Sequence, residues 1–215
     1  MTGSNVIVDI SHHNANVDLK KAKAAGIEAV IHKATQGAGF QDPAFAANRT
    51  KIKTAGLLFG AYHFGTAADP VRQADFFLKI VSPGPGDLLV LDFEENTQTN
   101  TMALEQARAF VSRVRDATGR FPGLYAGHFL KEQLGTKMDT LLRNCWLWHA
   151  QYSDEPKIHK NWKAWTMWQH TDGKLGPEPA PVDGIGPCDR DTFNGTLAEL
   201  KAFWATASVP DPGGP

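Results

Sequence analysis

Short, β-branched apolar runs alternate along this chain with segments whose apolar residues recur at helical spacing, and the boundaries between them are sharply punctuated. Val6-Ile7-Val8-Asp9-Ile10 reads as a buried strand, and 17–25 follows as a helix with Leu19, Ala22 and Ala25 on one face and Gly26 as its stop. Residues 29–34 return to strand character. Asp42-Pro43 and Asp69-Pro70 each put a capping carboxylate before a proline at the first helical position. The first of these helices is expected to reach Ala55 and stop at Gly56. The second carries Val71, Ala74, Phe77, Leu78 and Val81 on one face before Pro83-Gly84-Pro85-Gly86. Strands at 57–64 and 88–94 follow them. A helix over 102–117, with a stripe of Leu104, Ala107, Phe110, Val111 and Val114, ends at Gly119 ahead of a strand at 123–126.

Beyond that point the pattern changes. Segments 145–152, 164–170 and 189–193 read as three strands with little helix between them, and 197–205 as a closing helix. Eight strands, five of them in β/α alternation, predict an α/β fold: a closed parallel barrel whose last third has lost its helices. One domain is expected over 1–208, with the Pro/Gly-rich segment 209–215 as a disordered tail. In such barrels functional residues lie at the C-terminal ends of the strands.

Composition narrows the chemistry. Lys plus Arg is 22 against 23 for Asp plus Glu, a net charge of −1 that offers no attraction to nucleic acid or to an anionic membrane surface. Cys145 and Cys188 have no CxxC or Cys/His ligand spacing, which leaves a single disulfide between them open. No apolar run approaches the roughly 20 residues of a membrane-spanning helix. Met1-Thr2-Gly3-Ser4-Asn5 lacks the features of a secretory leader. The expectation is therefore a protein made in the cytoplasm, not inserted in a membrane, that acts after release.

The sharpest chemical feature is Leu88-Leu89-Val90-Leu91-Asp92-Phe93-Glu94-Glu95. Side chains alternate with period two along a strand, so Asp92 and Glu94 share one side at the end of an apolar run. Glycoside hydrolysis uses such a pair: a carboxylic acid with a raised pKa protonates the leaving oxygen, and a second group stabilises or attacks the sugar carbon. Asp9 ends the first strand in the same way, and Asp189 and Asp191 flank the last. Taken singly, Asp9 or Asp191 could equally cap a local turn. Tyr62, Phe64, Tyr125, Trp148, Tyr152 and Trp168 fall at strand ends where aromatic faces would stack on sugar rings, with core packing the competing reading for each, and Tyr62, Tyr125 and Trp168 are placed in the cleft. Trp146, Trp162, Trp165 and Trp204 read better as core. His12, His13, His32, His63, His128, His149 and His170 also lie near strand ends, which makes a metal-dependent barrel hydrolase the enzyme alternative. No HExxH pair, Gly-x-Ser-x-Gly elbow or phosphate loop is present in the sequence, and neither a metal nor a cofactor is expected.

Seven segments together resemble the glycoside hydrolase family 25 lysozymes, the Chalaropsis-type N-acetylmuramidases. They are Val8-Asp9-Ile10-Ser11, Lys33-Ala34-Thr35-Gln36-Gly37, Gly60-Ala61-Tyr62-His63-Phe64, Leu91-Asp92-Phe93-Glu94, Leu147-Trp148-His149-Ala150-Gln151-Tyr152, Trp168-Gln169-His170, and Asp189-Arg190-Asp191-Thr192-Phe193-Asn194-Gly195. The resemblance implies a flattened (β/α)5β3 barrel cleaving the β-1,4 bond between N-acetylmuramic acid and N-acetylglucosamine in peptidoglycan. It implies Glu94 as general acid, with Asp92 orienting the substrate acetamido group or steadying positive charge, and Asp9 and Asp189 lining the floor. The protein would act on glycan strands as a monomer. Gln36, His149 and Asp191 depart from the family, which usually has Glu, an apolar residue and Asn there. A non-catalytic barrel that binds wall glycans is the alternative of a different class; a binder has no use for a proton donor such as Glu94.

Overall fold

The computed structural model describes residues 3–14, 16–97, 100–177 and 181–207. The elements run β1 (Ser4–Ile10), α1 (Leu19–Ala24), β2 (Ala29–Gln36), β3 (Phe40–Gln41), α2 (Phe45–Thr54), β4 (Leu58–Phe64), α3 (Pro70–Val81), β5 (Asp87–Asp92), α4 (Leu104–Thr118), β6 (Gly123–Ala126) and α5 (His128–Leu134). They continue with β7 (Leu147–Ala150), β8 (Met167–Thr171), β9 (Pro181–Val182), β10 (Gly186–Pro187), β11 (Asp189–Phe193) and α6 (Leu197–Ala207). Five strand–helix units are followed by three strands without intervening helices. The expected tail at 209–215 lies outside the described residues, and among these no helix is long and apolar enough to cross a membrane.

Strands β1, β2, β4, β5, β6, β7 and β8 pair in parallel in that order, and β11 closes the ring between β8 and β1. In one respect the structure corrects the all-parallel expectation: β11 is antiparallel to both neighbours. Its N-terminal end, not its C-terminal end, therefore lies at the mouth formed by the other strands. That reversal sets Asp189 directly opposite Asp9.

Two apolar layers hold the barrel. The inner one contains Ile7, Ile31, Leu88, Val90, Trp148, Met167 and Phe193, and α6 supplies Leu200 and Trp204 to the same cluster. Trp204 is 1% exposed, and its Nε1 donates to the carbonyls of Phe59 and Gly86, both 3.1 Å away at the entry ends of β4 and β5. α6 thus plugs the barrel at the end opposite the strand C-termini. Between strands and helices lies the outer layer, where Phe77 and Phe110 bring α3 and α4 together over the His63 ring. Each fully buried large apolar side chain in these layers is worth about 1.5 to 3 kcal/mol.

Local signals held unevenly. Asp69 caps α3 by accepting from Arg72 N at 2.8 Å, with Pro70 at the first helical position, as the sequence pattern predicts. Asp42 does not cap α2. It instead accepts from the backbone N–H groups of His12 and Ala44 and pairs with the His12 ring, so the helix starts at Phe45. Val71, expected on the buried face of α3, is 44% exposed, and buried Gln73 takes part of that face. Helix α5 was not expected from the sequence, and the cysteines are both buried and free.

Candidate active site

Strand β5 is buried along its whole length, with Leu88 and Val90 inward, Leu89 and Leu91 outward, and Asp92 inward at its end. The strand path continues past Asp92. Gly65 N donates to the Asp92 carbonyl at 3.0 Å, and Phe93 N donates to the Tyr125 carbonyl at 2.9 Å. A side chain at Gly65 would press on the end of Met102 and crowd that same carbonyl, so glycine lets the end of β4 approach closely. With Phe93 turned outward against Phe129, Glu94 comes back to the barrel side.

Asp92 and Glu94 share a cavity of about 210 Å³ with Asp9, Asp189 and Gln169, walled by Tyr62, Tyr125, Tyr152 and Trp148. Gln169 organises its floor. Its Oε1 accepts from the hydroxyls of Tyr125 at 2.8 Å and Tyr152 at 3.1 Å, which turns its Nε2 to donate to Asp9 Oδ2 at 2.8 Å. Asp191, buried beneath, accepts from Trp148 Nε1 at 2.7 Å. Asp92 Oδ1 is buried and has no hydrogen-bond partner among the described residues.

So many acids in one largely buried site cannot all ionise freely. Burial, then the nearby Asp189, raises Glu94 to about 7, with Lys33 pulling the other way. Burial followed by repulsion from Glu94 lifts Asp92 well above the usual carboxylate range. Burial and then Asp172 raise Asp189 to about 6, and burial with repulsion from Asp189 and Asp191 raises Asp9. Lys33 opposes the charges of Asp92 and Glu94. It donates to Gln36 Oε1 at 2.8 Å and lies 4.9 Å from the Phe64 ring centre. It lines a second hollow, of about 520 Å³, that meets the first at Glu94 and extends past Phe40, His12 and His13.

The structure brings Asp9, Asp92, Glu94, Asp189, Tyr62, Tyr125 and Tyr152 to one cavity. Trp168 is a correction: it does not line that cavity. In the pairing of β8 with β11, Gln169 stands opposite Asp191 and faces inward, so its neighbour Trp168 faces out. There Trp168 Nε1 donates to the Gln151 carbonyl at 2.7 Å and the ring meets Trp165 edge-on. Gln169 and Lys33 are site members that the sequence reading did not single out, and Trp148, a strand-end aromatic not placed in the cleft from the sequence, lines the cavity. Strand parity could have found Gln169 once the register of β8 was known.

The same parity turns several histidines away from the carboxylates. His32 hydrogen-bonds with the Lys33 carbonyl and Asn48, His63 with Thr35 and Gln73, and His149 with the Ala126 carbonyl and Gln151. Burial lowers His63 to about 4. Among the described residues no three His, Cys, Asp or Glu side chains are grouped as metal ligands.

The chain was compared with known proteins. The family model described as glycosyl hydrolases family 25 matches residues 8–178. Uncharacterized protein YegX of Escherichia coli (strain K12) is 32% identical over 205 residues, covering 91% of this chain and 72% of that protein. The N,O-diacetylmuramidase of Chalaropsis sp is 30% identical over 182 residues, covering 76% of this chain and 86% of that protein. Among solved structures, the bacterial lysozyme from Streptomyces coelicolor superposes with a TM-score of 0.82 at 27% identity, covering 95% of this chain and 99% of the other.

Proposed function

The chain belongs to glycosyl hydrolases family 25 and is a glycoside hydrolase of the lysozyme type; from this premise we propose that it cleaves the β-1,4 bond between N-acetylmuramic acid and N-acetylglucosamine, with Glu94 as general acid and Asp92 acting on the substrate acetamido group. The observation that carries this reading is the Asp92–Glu94 pair in one buried polar cavity, where Asp92 Oδ1 lacks a protein hydrogen-bond partner among the described residues. That oxygen is an acceptor suited to an amide N–H. Glu94, raised to about 7, holds a proton at a pH where an ordinary glutamate has lost it.

In the proposed reaction Glu94 donates its proton to the glycosidic oxygen as the bond from the anomeric carbon to that oxygen breaks. The acetamido carbonyl oxygen forms the new bond to the anomeric carbon, and Asp92 accepts the amide N–H and offsets the positive charge of the ring that forms. Water then opens this ring, giving up a proton to Glu94, which restores the acid. Asp9 and Asp189 line the floor and help keep the proton on the pair. Tyr62, Tyr125 and Tyr152 offer rings and hydroxyls to the sugar. The protein works as a monomer on glycan strands.

Purified sacculi provide the test. Loss of turbidity with new reducing ends carried by N-acetylmuramic acid is expected from the wild type and not from Glu94→Gln. New reducing ends on N-acetylglucosamine would overturn the bond assignment. A glycosyl ester trapped on Asp92, or equal rates on a substrate lacking its acetamido group, would overturn the role given to Asp92.

A further inference from the structure

The Asp191 side chain has no exposed surface. One of its oxygens accepts from Trp148 Nε1, and the other, Oδ2, has no hydrogen-bond partner of the ordinary kind among the described residues. Such an orphan is costly in a dry interior, and the surroundings point to what relieves it. On the same strand, Asp189 is another acid, and Arg190 faces the other way and donates to Asn5. From β8, Gln169 commits its Nε2 to Asp9. From β7, Trp148 has already used its one donor. From β1 comes Asp9, whose register partner is Asp189 and whose side chain lies within hydrogen-bond reach of Asp191. Across the barrel, on β5, stands Asp92, a further acid that acts on Asp9. The two neighbouring carboxyls thus each have one oxygen fixed by a neutral N–H donor, Gln169 on Asp9 and Trp148 on Asp191.

We propose that Asp9 and Asp191 share one proton in an O–H···O hydrogen bond, so that the pair carries a single negative charge and Asp191 is a positioning residue for Asp9 on the cavity floor. Burial raises both acids, Asp191 raises Asp9 further, and a hydrogen bond with Asp9 pulls Asp191 the other way, the asymmetry of a proton seated on Asp9 and donated to Asp191. The proposal stands on this geometry and does not depend on which bond the protein cleaves.

The test is a proton count on folding. At neutral pH the unfolded chain leaves both aspartates ionised, since the ordinary value is about 3.9, whereas the native pair keeps one proton. Wild-type stability must then fall with rising pH by one proton more than that of Asp191→Asn, in which an amide N–H replaces the shared proton and Asp9 is ionised at neutral pH in the native and unfolded states alike. In urea unfolding of the full chain, the two proteins should agree near pH 4. The variant should gain about tenfold in its folding constant for each pH unit above that, until the wild-type pair releases its proton. Asp9→Asn should remove the same single proton, and the double variant no second one. A stability difference between wild type and Asp191→Asn that is constant from pH 4 to pH 8 would overturn the shared proton, because Asp191 would then be ionised in the native state. Loss of two protons in the double variant, one for each substitution, would overturn the sharing.

Discussion

Replacing Glu94 by Gln keeps the shape of the side chain and removes its proton, and the consequences for stability and turnover run in opposite directions. Glu94 is raised from 4.5 to about 7, chiefly by burial. At 1.36 kcal/mol per unit this corresponds to about 3 kcal/mol between the two protonation states. The sign follows from linkage. The native state holds the proton more tightly than the unfolded chain, so stability due to this group is complete below about pH 4.5 and declines until pH 7, above which the loss is constant. Glu94→Gln does not titrate and escapes that decline. It should match the wild type near pH 4 and exceed it by about 3 kcal/mol at pH 8, a rise in Tm of roughly 6 to 12 °C for a chain of this size. Turnover should move the other way, falling on the order of 10² to 10⁴ on sacculi and less on an aryl glycoside whose leaving group departs unaided. Thermal melts from pH 4 to pH 8 and reducing-end release on the same samples measure both. A stability gain of equal size at pH 4 and pH 8 would mean that native Glu94 is ionised at neutral pH, and the proton-donor assignment would fail with it.

Asp92→Asn should slow sacculi and activated aryl glycosides alike, because it weakens the step that both need; retention of the aryl glycoside rate would contradict this. Lys33→Met removes the cation that holds Glu94 and Asp92 down, so the alkaline limb of the pH–rate profile should move to higher pH. An unchanged profile would show that Lys33 does not act on the pair. Exhaustive chelation should leave the rate nearly unchanged if carboxylates carry the chemistry, and a loss restored by zinc would refute the glycosidase mechanism as drawn. Trp204→Ala opens the plug beneath the barrel and leaves the Phe59 and Gly86 carbonyls without their indole donor, at a cost of about 3 to 5 kcal/mol in chemical unfolding.

Periodicity and punctuation along the chain determined the strand–helix alternation. The β-branched runs, the Asp69-Pro70 start, the glycine stops and the helix-free last third are local properties, and they led to a (β/α)5β3 barrel. The carboxylate pair was legible for the same reason, since Asp92 and Glu94 sit two residues apart on one strand and need only the pleat to share a side. Local signals failed where a distant partner competed: Asp42 left its expected cap for His12, thirty positions away in sequence. Only the tertiary structure decided the direction of β11 and the register of β8. A strand pattern reads much the same in either direction, and a shift by one residue exchanges its two faces. Those two choices placed Asp189 opposite Asp9, turned Gln169 inward, sent Trp168 outward and buried Asp191 against its neighbours. The raised acidities are likewise a product of assembly, because desolvation and repulsion arise only once carboxyls from different strands meet in one largely buried cavity.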